Sequence, residues 1–366
     1  MGSRVLVAMS GGVDSSVAAA VLLEAGHEVV GVTLHLWDYP DNDTVKGRCC
    51  APEDIHDARR VADHLGFPHY AFDRRELFER EVVAPFVEEY LAGKTPSPCV
   101  RCNRGVKIHE LVTLADRLGA EKVATGHYAR TRQEGGRVDL LRGVDRTKDQ
   151  SYFLHMLPDE VLSRFVFPLG SLDKATVRAR ARALTLPGAH KGESQELCFV
   201  PTGRYDELIE ARAPERVQPG KIVDPTGAVV GTHAGIHKFT RGQRRNLGVA
   251  LGERAYVVDV DAASGLVQLG TKEDLLTSKL TLEEVTLRAP LGESFEADVV
   301  VRYQGAPRRG TITLARSGGA EVHFKEPITR PSAGQYAVFY EEDRVLGGGL
   351  IVDRRAPAPA ARALAP

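Results

Sequence analysis

Apolar residues follow one rhythm along the first half of the chain and another after about residue 218. In the first half, short apolar runs alternate with helical stripes. Residues 5–9 (VLVAM) and 29–34 (VVGVTL) lack polar alternation, as strands covered on both faces do. A helix is predicted at 15–24, ending near Gly26. A second, at 54–65, carries Ile55, Ala58, Val61, Ala62 and Leu65 on one face and stops at Gly66. A strand at 69–72, a helix at 76–91, a loop at 92–105, a helix at 106–118 and a strand at 122–125 follow. This order predicts an α/β fold built on a doubly wound parallel sheet.

Beyond 218, glycine and proline recur and helical stripes become scarce. Runs at 255–259 and 265–269 flank a turn at 261–264. Short strands at 295–303, 309–315, 320–324, 335–340 and 345–352 predict a small β-barrel. The chain therefore divides into an α/β domain (1–204), a small central α+β domain (205–278) and a C-terminal barrel (279–354). The Ala/Pro-rich end, 355–366, is expected to be a disordered tail.

At 366 residues the chain exceeds one ordinary core, which agrees with that division. Apolar residues make up 43% and charged residues 27%, a normal soluble profile. No apolar run approaches the roughly 20 residues of a membrane span. The first apolar stretch is too short for a signal peptide, so a cytoplasmic protein is expected. The net charge of −1 means that any nucleic-acid contact must come from a local basic patch. The clearest candidate is HKFTRGQRRN at 237–246, with Lys238, Arg241, Arg244 and Arg245. Arg302, Arg308 and Arg309, with Tyr303 for stacking, form another in the barrel. Either cluster read alone is as often a solvated basic face.

Residues 8–16 read AMSGGVDSS, between a predicted strand and a predicted helix. Gly11 and Gly12 let the backbone turn tightly, so that amides at a helix N-terminus face an anion. Ser10, Ser15 and Ser16 add hydroxyls. There is no terminal Lys-Ser/Thr pair, which excludes the commonest nucleotide phosphate loop. Asp14 is out of place beside phosphates unless Mg2+ bridges them.

Five cysteines, Cys49, Cys50, Cys99, Cys102 and Cys198, do not suggest a secreted disulfide framework. Cys49 and Cys50 read as small core residues. Cys99 and Cys102 lie in TPSPCVRCNRGVKI (95–108). Cys102 is expected at the start of the following helix, beside Arg101 and Arg104. There its pKa would be lowered, giving a thiolate nucleophile or metal ligand. Cys198 lies in the polar loop sequence KGESQELCFVPTG.

SGGVDSS resembles the pyrophosphate loop of ATP pyrophosphatases, which cleave ATP between its α and β phosphates and adenylate a carbonyl oxygen. Four segments in order then resemble MnmA-type tRNA 2-thiouridylases: TPSPCVRCNRGVKI, ATGHYA (124–129), KDQSYFL (148–154) and SQELCF (194–199). The likeness runs over nearly the whole chain. It implies ATP and Mg2+ as cofactors and tRNA as partner. A sulfur-relay protein or cysteine desulfurase would act upstream. Cys102 becomes the nucleophile and Cys198 the persulfide carrier, joined in a disulfide after transfer. The resemblance places ATP at Ala8, Met9, Ser10, Gly11, Gly12, Val13, Asp14, Ser15, Leu34 and Gly126. It places tRNA at Ser97, Pro98, Cys99, His127, Lys148, Asp149, Gln150, Arg302, Tyr303 and Gln335. Plain packing is the competing reading for Leu34 and His127.

One departure stands out: Cys99 occupies a position where the family often has Asp. Cys99, Cys102 and Cys198 therefore form a candidate ligand set for a [4Fe-4S] cluster with one open iron. The alternative makes Cys99 a CxxC partner of Cys102. Two other functions compete: an ATP pyrophosphatase acting on a small metabolite, and a non-enzymatic Fe–S or zinc sensor that binds RNA. The first has no use for the cysteines, and the second has none for SGGVDSS.

Overall fold

The structure is a computed structural model that describes residues 2–38, 52–192, 196–200, 202–249 and 254–353. Cys49, Cys50 and the expected tail at 355–366 lie outside the described residues.

The N-terminal strands are β1 (Arg4–Ala8), β2 (Glu28–His35), β3 (His69–Asp73), β4 (Lys122–Ala124), a hairpin of β5 (Ala129–Glu134) and β6 (Arg137–Arg142), and β7 (Phe165–Val166). Five of them form a parallel sheet in the order β3-β2-β1-β4-β7. Alternate residues of β1 face opposite layers. Val5 and Val7 pack with Ala19, Leu22, Ala58 and Val61 of the helices Val13–Glu24 and Pro52–Leu65. Leu6 packs with Phe78, Val82, Leu111 and Leu114 on the other face. Burial on both faces is why these strands read as unbroken apolar runs.

The central domain holds a four-stranded sheet of β8 (Gly220–Val223), β9 (Val229–His233), β10 (Tyr256–Asp261) and β11 (Leu266–Gly270), in the order β10-β11-β8-β9. The C-terminal strands are β12 (Leu276–Leu287), β13 (Ser294–Val300), β14 (Arg308–Leu314), β15 (Ala320–Thr329), β16 (Tyr336–Glu341) and β17 (Arg344–Val352). They run β12-β15-β14-β13-β16-β17, and β12 pairs again with β17, closing a six-stranded barrel. Closure removes the exposed edges that a sheet of short strands otherwise presents.

The hairpin β5–β6 was not anticipated from the sequence. Its strand β6 joins β17, at Leu141 and Arg344, and so extends the barrel sheet into the α/β domain. Buried Arg288 strengthens that seam. Its guanidinium donates to the Val138 and Leu157 carbonyls and pairs with Asp159. Arg344 pairs with Asp139 at 2.8 Å across the same boundary.

Residues 92–105 are not a continuous loop. A helix begins at Pro98, passes through a widened π turn at Asn103–Lys107 and continues as Ile108–Arg117. Proline suits the first helical position, where its missing N–H costs nothing.

Candidate functional site

The strand order reverses between β1 and β4. Ligands of open α/β sheets bind at such a switch point, outside the carboxyl ends of the strands. Here the loops after β1 and β4 meet. Gly11 turns the first loop with φ +70°, and a Cβ there would lie 2.4 Å from the Asp54 carbonyl oxygen, so only glycine fits. The Ser15 and Ser16 hydroxyls both donate to the Gly12 carbonyl, at 3.0 and 2.9 Å. The Ser10 amide donates to Ser15 Oγ at 3.1 Å. These serines therefore fix the loop's shape first. The helix Val13–Glu24 has no side-chain cap, which leaves its leading amides for an anion.

The second loop comes very close to the first. A Cβ on Gly126 would stand 2.9 Å from the Ser15 amide nitrogen. Beside them opens a cavity of about 790 Å3, within the range of small-ligand sites. Val32, Leu34 and Leu36 form an apolar wall, and the loops supply Ser10, Gly12, Asp14, Ser15 and Gly126. Leu34 both packs in the core and faces this cavity. Lys107, Lys148, Lys174, Arg178 and Lys191 bring positive charge, against Asp14 as the one carboxylate among the described lining residues. Tyr303 and Gln304 reach in from the barrel, where the Tyr303 ring lies 4.4 Å from that of Phe153.

Asp14, puzzling in the sequence, has a partner. Both its oxygens accept from Lys174 Nζ at 2.8 Å, and Oδ1 also accepts from the Tyr128 hydroxyl at 2.8 Å. His127 lines the same cavity, with Nδ1 at 2.7 Å from Thr125 Oγ1. Burial, helped by the Lys107 charge, pushes its pKa down to about 3, so it is a neutral imidazole at pH 7.

The tRNA positions expected from the sequence separate into three groups. Lys148, Gln150, His127 and Tyr303 line the cavity, while Cys99 and Arg302 are exposed elsewhere. The others are engaged within the fold. Asp149 is buried and accepts from the Gly143 and Ser151 amides and the Ser151 hydroxyl. Gln335 donates to the Thr95 carbonyl at 2.8 Å, and Gln150, besides lining the cavity, accepts from the Tyr128 amide. Ser97 and Pro98 are buried. The basic stretch 237–246 splits in the same way. Arg241 pairs with Asp259 and Asp353, Lys238 pairs with Glu210, and Arg244 and Arg245 are exposed.

The cysteine chemistry expected from the sequence needs two corrections. Cys102 is not at a helix start, because the helix begins four residues earlier at Pro98. It is 5% exposed in the main core, and burial pushes its thiol pKa up. Arg101 and Arg104 do not oppose this, since they pair with Glu89 and Glu284. Lys107 does, through its charge and its backbone amide. The second correction concerns the cluster. Among the described residues, no three His, Cys, Asp or Glu side chains gather as a metal site. Cys99 is exposed, Cys102 is buried, and Cys198 packs half-buried against the main core. The three thiols do not fit a [4Fe-4S] cluster in this conformation.

Sequence reading missed Lys107, Lys174, Arg178 and Lys191. One signal was available for the middle pair. Lys174 and Arg178 stand four apart, on one face of a helix that Asp173 caps at the Thr176 amide.

The comparisons extend over almost the whole chain. Residues 3–202 match the family model described as "tRNA methyl transferase HUP domain". Residues 207–271 match a "tRNA methyl transferase PRC-barrel domain", and residues 277–351 an "Aminomethyltransferase beta-barrel domain". A protein of Sorangium cellulosum named "tRNA-specific 2-thiouridylase MnmA" is 59% identical over 355 residues, covering 96% of this chain and 92% of that protein. Proteins of the same name from Geobacter metallireducens and Heliobacterium modesticaldum are 48% and 45% identical. They match over 95% and 96% of this chain and over 96% and 93% of their own lengths.

Proposed function

The chain belongs to the family of tRNA-specific 2-thiouridylases, and on that premise we propose how its cavity and thiols carry out the thiolation. The enzyme is a tRNA-uridine 2-sulfurtransferase. The family models' descriptions speak of methyl transfer, but a loop built to grip phosphates has a use in ATP-driven thiolation and none in methyl transfer.

ATP occupies the cavity. Its base and ribose lie along the Val32, Leu34 and Leu36 wall, and its phosphates face the amides of the 10–15 loop. The observation that carries this reading is the contact between Gly126 and the Ser15 amide, which brings two backbone loops together around an anion site. A magnesium ion arriving with ATP would find the Asp14 carboxylate and the Ser10 hydroxyl as oxygen donors, and would neutralise charge on the pyrophosphate.

Uracil O2 attacks the α-phosphorus of ATP, and pyrophosphate leaves. O2 becomes part of a phosphate ester, a far better leaving group than oxide. The terminal sulfur of a Cys198 persulfide attacks C2, and AMP departs with O2. The Cys102 thiol gives up its proton, a loss that the Lys107 charge and backbone amide favour against burial, and its sulfur then attacks the Cys198 sulfur. The persulfide S–S bond breaks, a Cys102–Cys198 disulfide forms, and sulfur stays on C2. An external dithiol reduces the disulfide for the next turn. Neutral His127 serves as a hydrogen-bond partner at the cavity rather than as a cation. Tyr303, beside Phe153, offers a ring for a flipped-out base. The substrate nucleoside is the wobble uridine, and the sulfur comes from a relay protein or a cysteine desulfurase.

The test is thiolation of tRNA by protein purified without oxygen, with iron measured in the same preparation. Iron-free protein that forms 2-thiouridine from ATP and a persulfide donor supports the relay. About four irons per chain, with activity lost on chelation, would overturn it in favour of a cluster. Failure to thiolate under both conditions would sink the function itself.

A further inference from the structure

Cys198 and Phe199 occupy the two central positions of a tight turn. The Val200 amide donates to the Leu197 carbonyl at 2.9 Å and closes it. The two side chains meet different surroundings. Phe199 is 4% exposed, whereas Cys198 is half-buried at the edge of the main core.

The Phe199 ring enters a box of three others. Its centroid lies 5.0 Å from that of Phe86, 5.7 Å from Phe78 and 6.1 Å from Trp37, each edge to face. Phe78 ends the helical segment Arg75–Phe78, and Phe86 lies in Ala84–Leu91. In an unbroken α-helix this spacing would turn the two rings about 80° apart. The π turn Glu79–Val83 between them takes up one extra residue and brings both rings back to one face. Trp37 closes the third side. Arg212 holds it, with its guanidinium 5.4 Å from the ring and paired with Glu79 at 2.7 Å. The helical segment Pro98–Cys102 packs on that same π turn, so the box adjoins the element that carries Cys102.

We propose that Phe199 is a positioning residue for sulfur transfer, whose ring plugs this box and thereby seats the Cys198 turn beside the helix that carries Cys102. The inference rests on the persulfide relay above and deepens it. In that relay Cys102 must reach one sulfur of the persulfide while the other bonds C2 of the base. A cysteine side chain turns about one χ angle, so seating the turn seats the sulfur. With the turn unseated, Cys198 still carries sulfur but presents it poorly. Water then attacks the activated base, AMP departs and uridine is restored. Pyrophosphate is released without thiolation.

The test uses the full chain as wild type, Phe199→Ala and Phe199→Leu, with ATP, tRNA and a persulfide donor. Phe199→Ala should form 2-thiouridine at least about tenfold more slowly, within the roughly hundredfold that a misplaced reacting group costs. Its ATP affinity and its rate of pyrophosphate release should stay within about threefold of the wild type, because the ring acts only on the sulfur step. Pyrophosphate released per 2-thiouridine should therefore rise at least about threefold. Phe199→Leu, which refills much of the box, should recover most of the rate. A second readout needs no turnover. Iodoacetamide labelling, read by peptide mass spectrometry, should be at least about fivefold faster at Cys198 in Phe199→Ala and unchanged at buried Cys102. Thiolation at the wild-type rate in Phe199→Ala would overturn the proposal. So would thiolation and pyrophosphate release falling together, or faster labelling of both cysteines, which would make Phe199 a plain core residue. If the alanine variant does not fold, labelling of Phe199→Leu decides. A rate at least about twofold higher at Cys198 alone supports the seat, and wild-type labelling overturns it. Thiolation that survives Cys198→Ser would instead refute the relay on which the inference rests.

Discussion

Gly126 and Ser15 approach so closely that a single methyl group cannot fit between them. A Cβ on Gly126 would lie 2.9 Å from the Ser15 nitrogen and 3.0 Å from the Asp14 carbonyl carbon. Both neighbours are backbone and cannot rotate away. Gly126→Ala must therefore push apart the two loops that form the anion site. Calorimetry should show ATP binding at least about tenfold weaker, a loss of ~1.4 kcal/mol or more. The melting temperature should move little, because the strain falls at a cavity edge. Unchanged ATP affinity would show that the two loops do not act together.

The order of strands and helices was legible because sheet burial imposes unbroken apolar runs, as in β1 and β2. The phosphate loop was legible because glycine at residue 11 answers a backbone constraint at its own position. Cys102 was misread for a physical reason. A loop expected over 92–105 put Cys102 at the start of the next helix, yet Pro98 is already the first residue of a helix, so the thiol lies inside it. The spacing of Lys174 and Arg178 puts them on one helix face, but the contact of Lys174 with Asp14, 160 residues away, could not be read from the sequence. Asp149 and Gln335 hide a structural contact in the same way. Both are expected at the tRNA from the resemblance, and their side chains also hold the backbone in place through contacts that no local pattern announces.

The relay assigns different duties to the three described cysteines, and serine variants separate them. Cys198→Ser and Cys102→Ser should each abolish 2-thiouridine formation, read by mass spectrometry of digested tRNA. ATP affinity should stay within about twofold of the wild type, since neither thiol lines the nucleotide cavity. Cys99→Ser should keep at least about a third of the rate, because an exposed residue makes few packing contacts. Complete loss in Cys99→Ser would give that thiol a part in the chemistry.

Arg288 joins the barrel to the α/β domain from a nearly closed position. It is 7% exposed and reaches two backbone carbonyls and Asp159. Arg288→Met keeps much of the stem but strands those acceptors. The expected cost is about 2–4 kcal/mol, read as a lower urea midpoint, with Asp159 partly rescued by solvent. A second, earlier transition in the unfolding curve would show that the barrel separates from the α/β domain first. An unchanged midpoint would mean that the β6–β17 pairing and the Arg344–Asp139 pair hold the seam without it.

His155 should make the protein sensitive to acid below neutrality. It is fully buried, its Nδ1 bonds the Tyr152 carbonyl at 2.7 Å, and its Nε2 has no partner among the described residues. Burial lowers its pKa from 6.5 to about 4, with Arg288 and Arg104 adding to the shift. An unfolded chain takes up this proton near 6.5, whereas the folded chain resists until about 4. The unfolded state thus binds more protons between those values, and stability rises with pH across that window. The contribution is fully present above about 6.5 and is lost as pH falls towards 4. It amounts to on the order of 3 kcal/mol. His127, lowered to about 3, steepens the same slope. Urea unfolding followed from pH 7 to pH 4.5 should show a falling midpoint in the wild type and a shallower fall in His155→Phe. A variant slope as steep as that of the wild type would place the acid sensitivity elsewhere, with His127→Gln the next variant to measure.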